Sequence, residues 1–339
     1  MKRIFALIVL VLYLISARPR LQRYTAAFWG SFDTVIVVTA YSASQRQFDV
    51  AFEAAVNSFS EADRYYDRFS YSEKIVNIAY INRHAAQSEI KVGDRLFSLL
   101  QYGKSGAERT GGLTDMTFGA VSSIWYDEVK KGDFAQLPQY ETLREAELYT
   151  GIEKVDLNEK GKTIRLHSSK VTIDAGAFAK GYAVEETARV LVGAGINRAA
   201  VSGGGNIKTL DPPDGKQSWN VGIQDPDASV MQKDGAVETI YINGMAVATS
   251  GDYQRYFIRN GKRYHHLIDP ETLYPAEYFR SVTVACKSAA DADLFSTALF
   301  LCDIERGKRL AEKERLAVLW VMPDGSVISN DRMQNLTTK

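Results

Sequence analysis

Apolar and polar residues recur along this chain at two periods. Phe52, Ala55, Val56, Phe59 and Ala62 stand at helical spacing and predict a helix over 52–69. Leu96, Leu99 and Leu100 do the same for 93–109, with Gly111-Gly112 as its stop. Further helices are expected over 140–149 behind Pro138, and over 177–194, where Val184, Ala188, Leu191 and Val192 form the stripe and Gly195 ends it. Two more follow at 289–301 and 304–314. The β-branched run Thr34 to Val38 marks a strand within 28–41. Shorter strands are expected at 154–157, 163–166, 171–173, 199–202, 219–223, 238–242, 246–248, 253–258, 262–267 and 281–285. A last hairpin over 316–328 turns at Pro323-Asp324-Gly325. The elements mix without regular βαβ alternation, which predicts an α+β fold of mixed or antiparallel sheets with packed helices. One body is expected over 28–330, divisible into two subdomains, with 331–339 as a tail.

The first residues break this pattern. Met1-Lys2-Arg3 precedes an unbroken apolar run over 4–17, and Arg18-Pro19-Arg20 follows. The run is shorter than the roughly 20 residues of a stable span and suits a signal-peptide core. Ile15 fits the small-x-small cleavage pattern badly, so 1–20 reads as a signal peptide or as an uncleaved membrane anchor. No cysteine stands near it for lipid attachment. The expectation is an extracytoplasmic, membrane-associated protein.

Composition narrows the class. With 339 residues, 45% hydrophobic and 24% charged, the chain is neither disordered nor a polytopic membrane protein. The 41 basic side chains balance 41 acidic ones, so no basic excess drives nucleic-acid binding. Cys286 and Cys302 are too few for a disulfide scaffold, show no zinc spacing, and read as small buried hydrophobes.

Four stretches carry candidate chemistry. At 173–182 a strand delivers Asp174, small residues follow, and Lys180 stands near a helix N-terminus, a place suited to phosphate. A strand–helix turn with a surface lysine would read the same. Gly203-Gly204-Gly205-Asn206 after a strand lets a ligand or another backbone approach closely; it is neither a Walker A loop nor a dinucleotide fingerprint, and a tight structural turn is the alternative. His265 and His266 are adjacent in an expected strand, so they point to opposite faces, with Asp269 three residues beyond His266. Either a general base or a structural hydrogen bond fits them. Asp293 and Thr297 lie four apart on an expected helix and share a face. With a phosphate oxygen they make an oxygen-only site suited to Mg²⁺, although Asp293 also reads as a helix-start charge, as does Asp291.

In their order along the chain these segments resemble the ApbE-type FAD:protein FMN transferase family. The matching residues are Gly30-Ser31-Phe32-Asp33-Thr34, Gly112-Leu113-Thr114-Asp115-Met116-Thr117, and Asp174…Ala177…Lys180-Gly181-Tyr182. They continue as Gly204-Gly205-Asn206-Ile207, Thr249-Ser250-Gly251-Asp252-Tyr253, His266-Leu267-Ile268-Asp269-Pro270 and Asp293-Leu294-Phe295-Ser296-Thr297. The resemblance implies a T-fold-like domain that binds FAD in a cleft. It implies Mg²⁺-dependent cleavage of the FAD pyrophosphate, with FMN passed to a Thr or Ser hydroxyl on an acceptor protein with an FMN-binding domain, and AMP released. By position, Asp293, Thr297 and the carbonyl of Ala177 would hold Mg²⁺. Phe32, Leu113, Thr114, Asp115, Asp174, Lys180, Gly204, Gly205 and Leu267 would line the FAD site. His266 would serve as base or orienter for the acceptor hydroxyl, and Asp293 would join it in catalysis. A ring for the isoalloxazine is expected within 69–71. The chain departs from the family in carrying Phe32 for a frequent Met, Asn206 for a frequent Asp, and Met116 within the family's Asp-Pro-Thr. Two other readings remain: an FAD-binding protein without catalysis, and an FAD pyrophosphatase that yields FMN and AMP.

Overall fold

The structure is a computed structural model that describes residues 21–213, 215–228 and 235–338. The apolar run at 4–17, with the signal or anchor expected there, lies outside the described residues. Among the described residues no helix is long and apolar enough to cross a membrane.

The chain opens with strands β1 (Gln22–Ser31) and β2 (Thr34–Ser42), then helices α1 (Gln45–Tyr66) and α2 (Ile78–His84). β3 (Ile90–Lys91) precedes α3 (Asp94–Thr110), α4 (Gly119–Lys131) and α5 (Tyr140–Glu147), followed by β4 (Val155–Asn158) and β5 (Thr163–Leu166). α6 (Ala179–Gly193) leads to β6 (Ala199–Gly203) and β7 (Asn206–Thr209). The middle of the chain forms β8 (Trp219–Gln224), β9 (Ala236–Ile242), β10 (Ala246–Gly251), β11 (Tyr256–Arg259), β12 (Lys262–His265) and β13 (Ser281–Cys286). The last part holds α7 (Ala289–Phe300), α8 (Ile304–Lys313), β14 (Ala317–Val321), β15 (Val327–Ser329) and α9 (Asp331–Thr337).

Eight strands make one antiparallel sheet in the order β1-β2-β6-β7-β10-β13-β14-β15. This is the α+β arrangement expected. One face packs on α1, α6 and α7 through Ile36, Val38, Phe59, Val184, Leu191, Val201, Val284 and Phe295. The other face is covered over β10, β13 and β14 by the β8–β9 ribbon and α9, through Val221, Ile240, Val247, Leu319 and Met333. Strands covered on both sides lose the alternation of a half-solvated strand, and every residue of β14, Ala-Val-Leu-Trp-Val, is buried. A third cluster joins α4 and α5 to β11 through Val121, Trp125, Leu143, Phe257, Ile268 and Leu273. Trp125 Nε1 donates to the Leu273 carbonyl at 2.9 Å, tying that cluster to the stretch after His266.

Several expectations change in detail. The strand over 28–41 is a hairpin: Ser31 pairs with Thr34 across Phe32 and Asp33, both with positive φ (54° and 52°). No strand forms at 171–173; Thr172 makes one isolated bridge with Phe118, and the Ile173 N–H and C=O are taken by the Asn82 side chain at 2.7 and 3.0 Å. The first helix begins at Gln45 because Ser44 caps it, accepting from Gln47 N. The tail is largely helix α9, capped by Asn330 and anchored by buried Met333. Cys302 is buried, Cys286 half-buried, and both are free thiols.

Candidate active site

A cavity of about 720 Å³ opens where the β1–β2 and β6–β7 turns meet the N-terminal end of α6, α7 and the segment after β12. The structure brings Phe32, Leu113, Thr114, Asp115, Asp174, Ala177, Lys180, Gly204, His266, Leu267, Asp293 and Thr297 into its wall. Gly205 stays outside the lining; with Gly204 it forms the two-residue turn between paired Gly203 and Asn206, both glycines having positive φ (57° and 89°). The tight-turn reading is therefore realised, and Gly204 lines the cavity while turning the chain.

Asp293 projects from α7 toward the start of α6. Its Oδ2 accepts from Gly181 N at 2.8 Å. That approach needs a glycine: a Cβ on Gly181 would stand 2.2 Å from the Ala289 carbonyl oxygen. Burial pushes the Asp293 carboxyl above its ordinary range, while Lys180, the Gly181 N–H and the Asn206 side chain oppose the rise. Thr297, one turn on, lines the same cavity, its hydroxyl 3.2 Å from Ser250 Oγ. Asn206 is buried beside Asp293, and its Oδ1 has no hydrogen-bond partner among the described residues.

These groups fit a magnesium ion that arrives with a phosphate. Among the described residues no cluster of three His, Cys, Asp or Glu exists, so a closed protein cage is absent there. Asp293 and Thr297 supply one carboxylate and one hydroxyl, an incomplete set of hard oxygens, and Ala177 lines the same cavity. Mg²⁺ is commonly held in that way, by one or two carboxylates plus substrate phosphates. Lys180 makes no ion pair among the described residues and stands half-buried in the cavity wall.

The two histidines diverge as expected, although β12 ends at His265 and His266 lies just beyond the strand. His265 turns inward, with Nε2 2.8 Å from the Ala276 carbonyl and Nδ1 accepting from Leu267 N at 3.2 Å. His266 turns into the cavity. Its Nδ1 lies 3.2 Å from the Arg255 carbonyl, which can only accept, so Nδ1 carries the proton and Nε2 keeps its lone pair. Burial, then the neighbouring His265 and Lys180, push the His266 imidazole down to about 3, so it is neutral near pH 7.

The remaining wall is organised by polar pairs. Asp174 accepts from Ser122 Oγ at 2.9 Å and Gly176 N at 2.8 Å, and lies 3.4 Å from Arg68. It therefore shapes the turn that presents Ala177. Asp115 closes its own turn by accepting from Thr117 N and Oγ1, each at 2.7 Å. Thr114 is buried against Thr110 at 3.0 Å. Phe32 donates its N–H to Asp63 at 2.9 Å, and its ring meets Phe59 edge-on. Within 69–71 it is Phe69 that faces the cavity, stacked on Tyr126 at 4.6 Å; Tyr71 instead packs on Tyr80 and His84.

Arg68, Ser122, Tyr126 and Arg255 border the site without having been found in the sequence. Ser122 and Tyr126 ride on α4, whose signal is the helical spacing of Val121, Ile124, Trp125 and Val129. Nothing local marks Arg68 or Arg255.

Comparison with known proteins places the chain. A model of the ApbE family matches residues 32–320. An FAD:protein FMN transferase of Klebsiella pneumoniae (strain 342) is 28% identical over 312 residues, covering 91% of this chain and 92% of that protein. The FAD:protein FMN transferase of Treponema pallidum (strain Nichols) is 31% identical over 265 residues, covering 74% of this chain and 72% of its own. The crystal structure of the ApbE protein from Thermotoga maritima superposes with a TM-score of 0.82 at 27% identity, over 94% of this chain and all of that one. The apo flavinyl transferase ApbE of Pseudomonas stutzeri, at 24% identity and a TM-score of 0.79 over 94% of this chain and 98% of its own, shares the fold. The protein belongs to the ApbE family.

Proposed function

We propose that the protein transfers FMN from FAD to a Thr or Ser hydroxyl of an acceptor protein with an FMN-binding domain, with Mg²⁺ bound and AMP released. The observation that carries this reading is the meeting of Lys180, Asp293, Thr297 and His266 in one cavity. In the reaction the acceptor oxygen forms a bond to the FMN phosphorus, and the bond from that phosphorus to the bridging diphosphate oxygen breaks. AMP leaves with the bridging oxygen. The ion would neutralise charge on the diphosphate as it divides. Asp293, Thr297 and the Ala177 carbonyl are the groups that would hold it. Lys180 adds a point charge for the diphosphate. His266 Nε2, bare and neutral, accepts the acceptor's proton; burial is the larger cause of its lowered basicity, and the negative diphosphate would offset only the smaller part that comes from Lys180.

The apolar run at 4–17, flanked by basic residues, supports an extracytoplasmic site of action at a membrane. The full chain is incubated with FAD, Mg²⁺ and an FMN-binding domain, and the products are resolved on a denaturing gel viewed by flavin fluorescence. An EDTA-sensitive fluorescent acceptor band is expected. FMN and AMP without a labelled band indicate a pyrophosphatase, and intact FAD indicates a binding protein.

A further inference from the structure

A neutral hydroxyl can ligate a cation only through a lone pair that its own proton leaves free. For Thr297 three contacts decide where that proton goes. Ser296 Oγ donates to the Asp293 carbonyl at 3.0 Å. Ser250 Oγ lies 3.0 Å from Ser296 Oγ and 3.2 Å from Thr297 Oγ1. The carbonyl only accepts, so the single Ser296 proton is committed to it. The Ser250–Ser296 contact is then a hydrogen bond only if Ser250 donates. With the Ser250 proton spent, the Ser250–Thr297 contact is a hydrogen bond only if Thr297 donates. One arrangement satisfies all three contacts, and it runs from Thr297 through Ser250 and Ser296 to the backbone of Asp293.

We infer that Ser250, itself in the cavity wall, and Ser296 form a one-way hydroxyl relay that takes up the Thr297 proton and leaves the Thr297 lone pairs to a divalent cation held with Asp293. The inference rests on the reading of Asp293 and Thr297 as the cation site. Ser250 and Ser296 act through Thr297 and are positioning residues. Ser250 reaches the pair from β10, which packs on α7. Ser296 is fully buried and has no place in the cavity wall. Removing its hydroxyl leaves the Ser250 proton free to turn onto Thr297. Thr297 then becomes the acceptor, and its own proton faces the cation.

The test uses the full chain with FAD and without acceptor, with Mn²⁺ as the probe read by electron paramagnetic resonance. Ser296→Ala should weaken Mn²⁺ binding by about 10-fold, the lower end of the range for residues that support metal ligands. Its melting temperature in EDTA should hold or rise, because the exchange removes a helix back-bond and improves helix propensity. Ser250→Ala should weaken Mn²⁺ at least as much. The double variant should bind no worse than Ser250→Ala alone, since the relay is already cut next to Thr297. Unchanged Mn²⁺ affinity in both single variants overturns the relay, as do additive losses accompanied by a lower melting temperature in EDTA. If the wild-type chain binds no Mn²⁺ with FAD present, the cation-site reading falls and the relay falls with it.

Discussion

Asp293 sits where a carboxylate is costly, its burial opposed by Lys180, the Gly181 N–H and the Asn206 side chain. A cation would relieve that cost, which is the physical case for its role. Asp293→Ala should therefore reduce Mg²⁺-dependent FMN transfer by at least the ~10²-fold that losing one electrostatic contact costs at a reacting centre; full transfer, read as acceptor fluorescence, would remove Asp293 from the site. His266 differs in kind. Its ring is fixed by one long bond to the Arg255 carbonyl, and little else depends on it. His266→Ala should slow transfer by about 10²-fold or more, the usual contribution of a general base, while the FAD dissociation constant changes little. Loss of folding in that variant would point to a structural hydrogen bond instead. At this scale the sequence was informative, because Asp293 and Thr297 share a helical face; the divergence of His265 and His266 was also expected, but His266 lies past the end of β12, so the strand period is not its cause. That Asn206 stands where the family frequently has Asp was also legible, but not that its Oδ1 finds no partner among the described residues.

Among elements, the decisive contact is between α6 and α7. Gly181 lets the two helices approach so closely that one N–H reaches the Asp293 carboxylate. A Cβ there would also stand 2.5 Å from Asp293 Cβ, so neither a rotamer change nor a small shift clears it. Gly181→Ala should destabilise the fold by about 1–3 kcal/mol, as overpacking typically does, and should lower transfer further by moving Asp293; denaturant unfolding and the gel assay read the two effects separately. The β1–β2 turn is a second such element. It places Phe32 at the cavity in a positive-φ conformation that bulky residues rarely adopt, held by the bond to Asp63. The β-branched run Thr34 to Val38 was visible in the sequence as one strand, but no Asn-Gly or Gly-Gly marked the turn. The strand expected at 171–173 failed because the Asn82 side chain outcompetes a strand partner for Ile173, a contact 91 residues away.

For the molecule as a whole, pH acts through buried histidine. Both nitrogens of His265 are engaged in the neutral form, Nδ1 as acceptor from Leu267 N and Nε2 as donor to the Ala276 carbonyl. Burial disfavours the charged ring, and protonating Nδ1 would also break the first bond, so its folded value lies below 6.5. The unfolded chain takes up that proton near pH 6.5 while the folded chain does not. Stability from this group is therefore full above pH 6.5 and declines as pH falls below it, by at most about 1.4 kcal/mol per unit. The fall in unfolding free energy between pH 6.5 and 5 should be shallower in His265→Asn than in the wild type; equal slopes would mean that His265 titrates normally in the fold. The double coverage of β10, β13 and β14 also belongs to this scale, since it makes Trp320 and its neighbours core on both faces.

By itself the sequence determined the α+β class, most helices, the hairpin at the end of the chain, and the residue types able to hold a diphosphate, a cation and a proton. Local spacing suffices for those, because a helix or strand period and a side chain's chemistry are properties of neighbouring residues. Only the tertiary structure decided that Asp174 shapes a turn with Arg68, that Phe69 and not Tyr71 faces the cavity, and that Ser250 of β10 joins Ser296 and Thr297 of α7. Each of these depends on a contact between elements distant along the chain, which packing selects and no local pattern encodes.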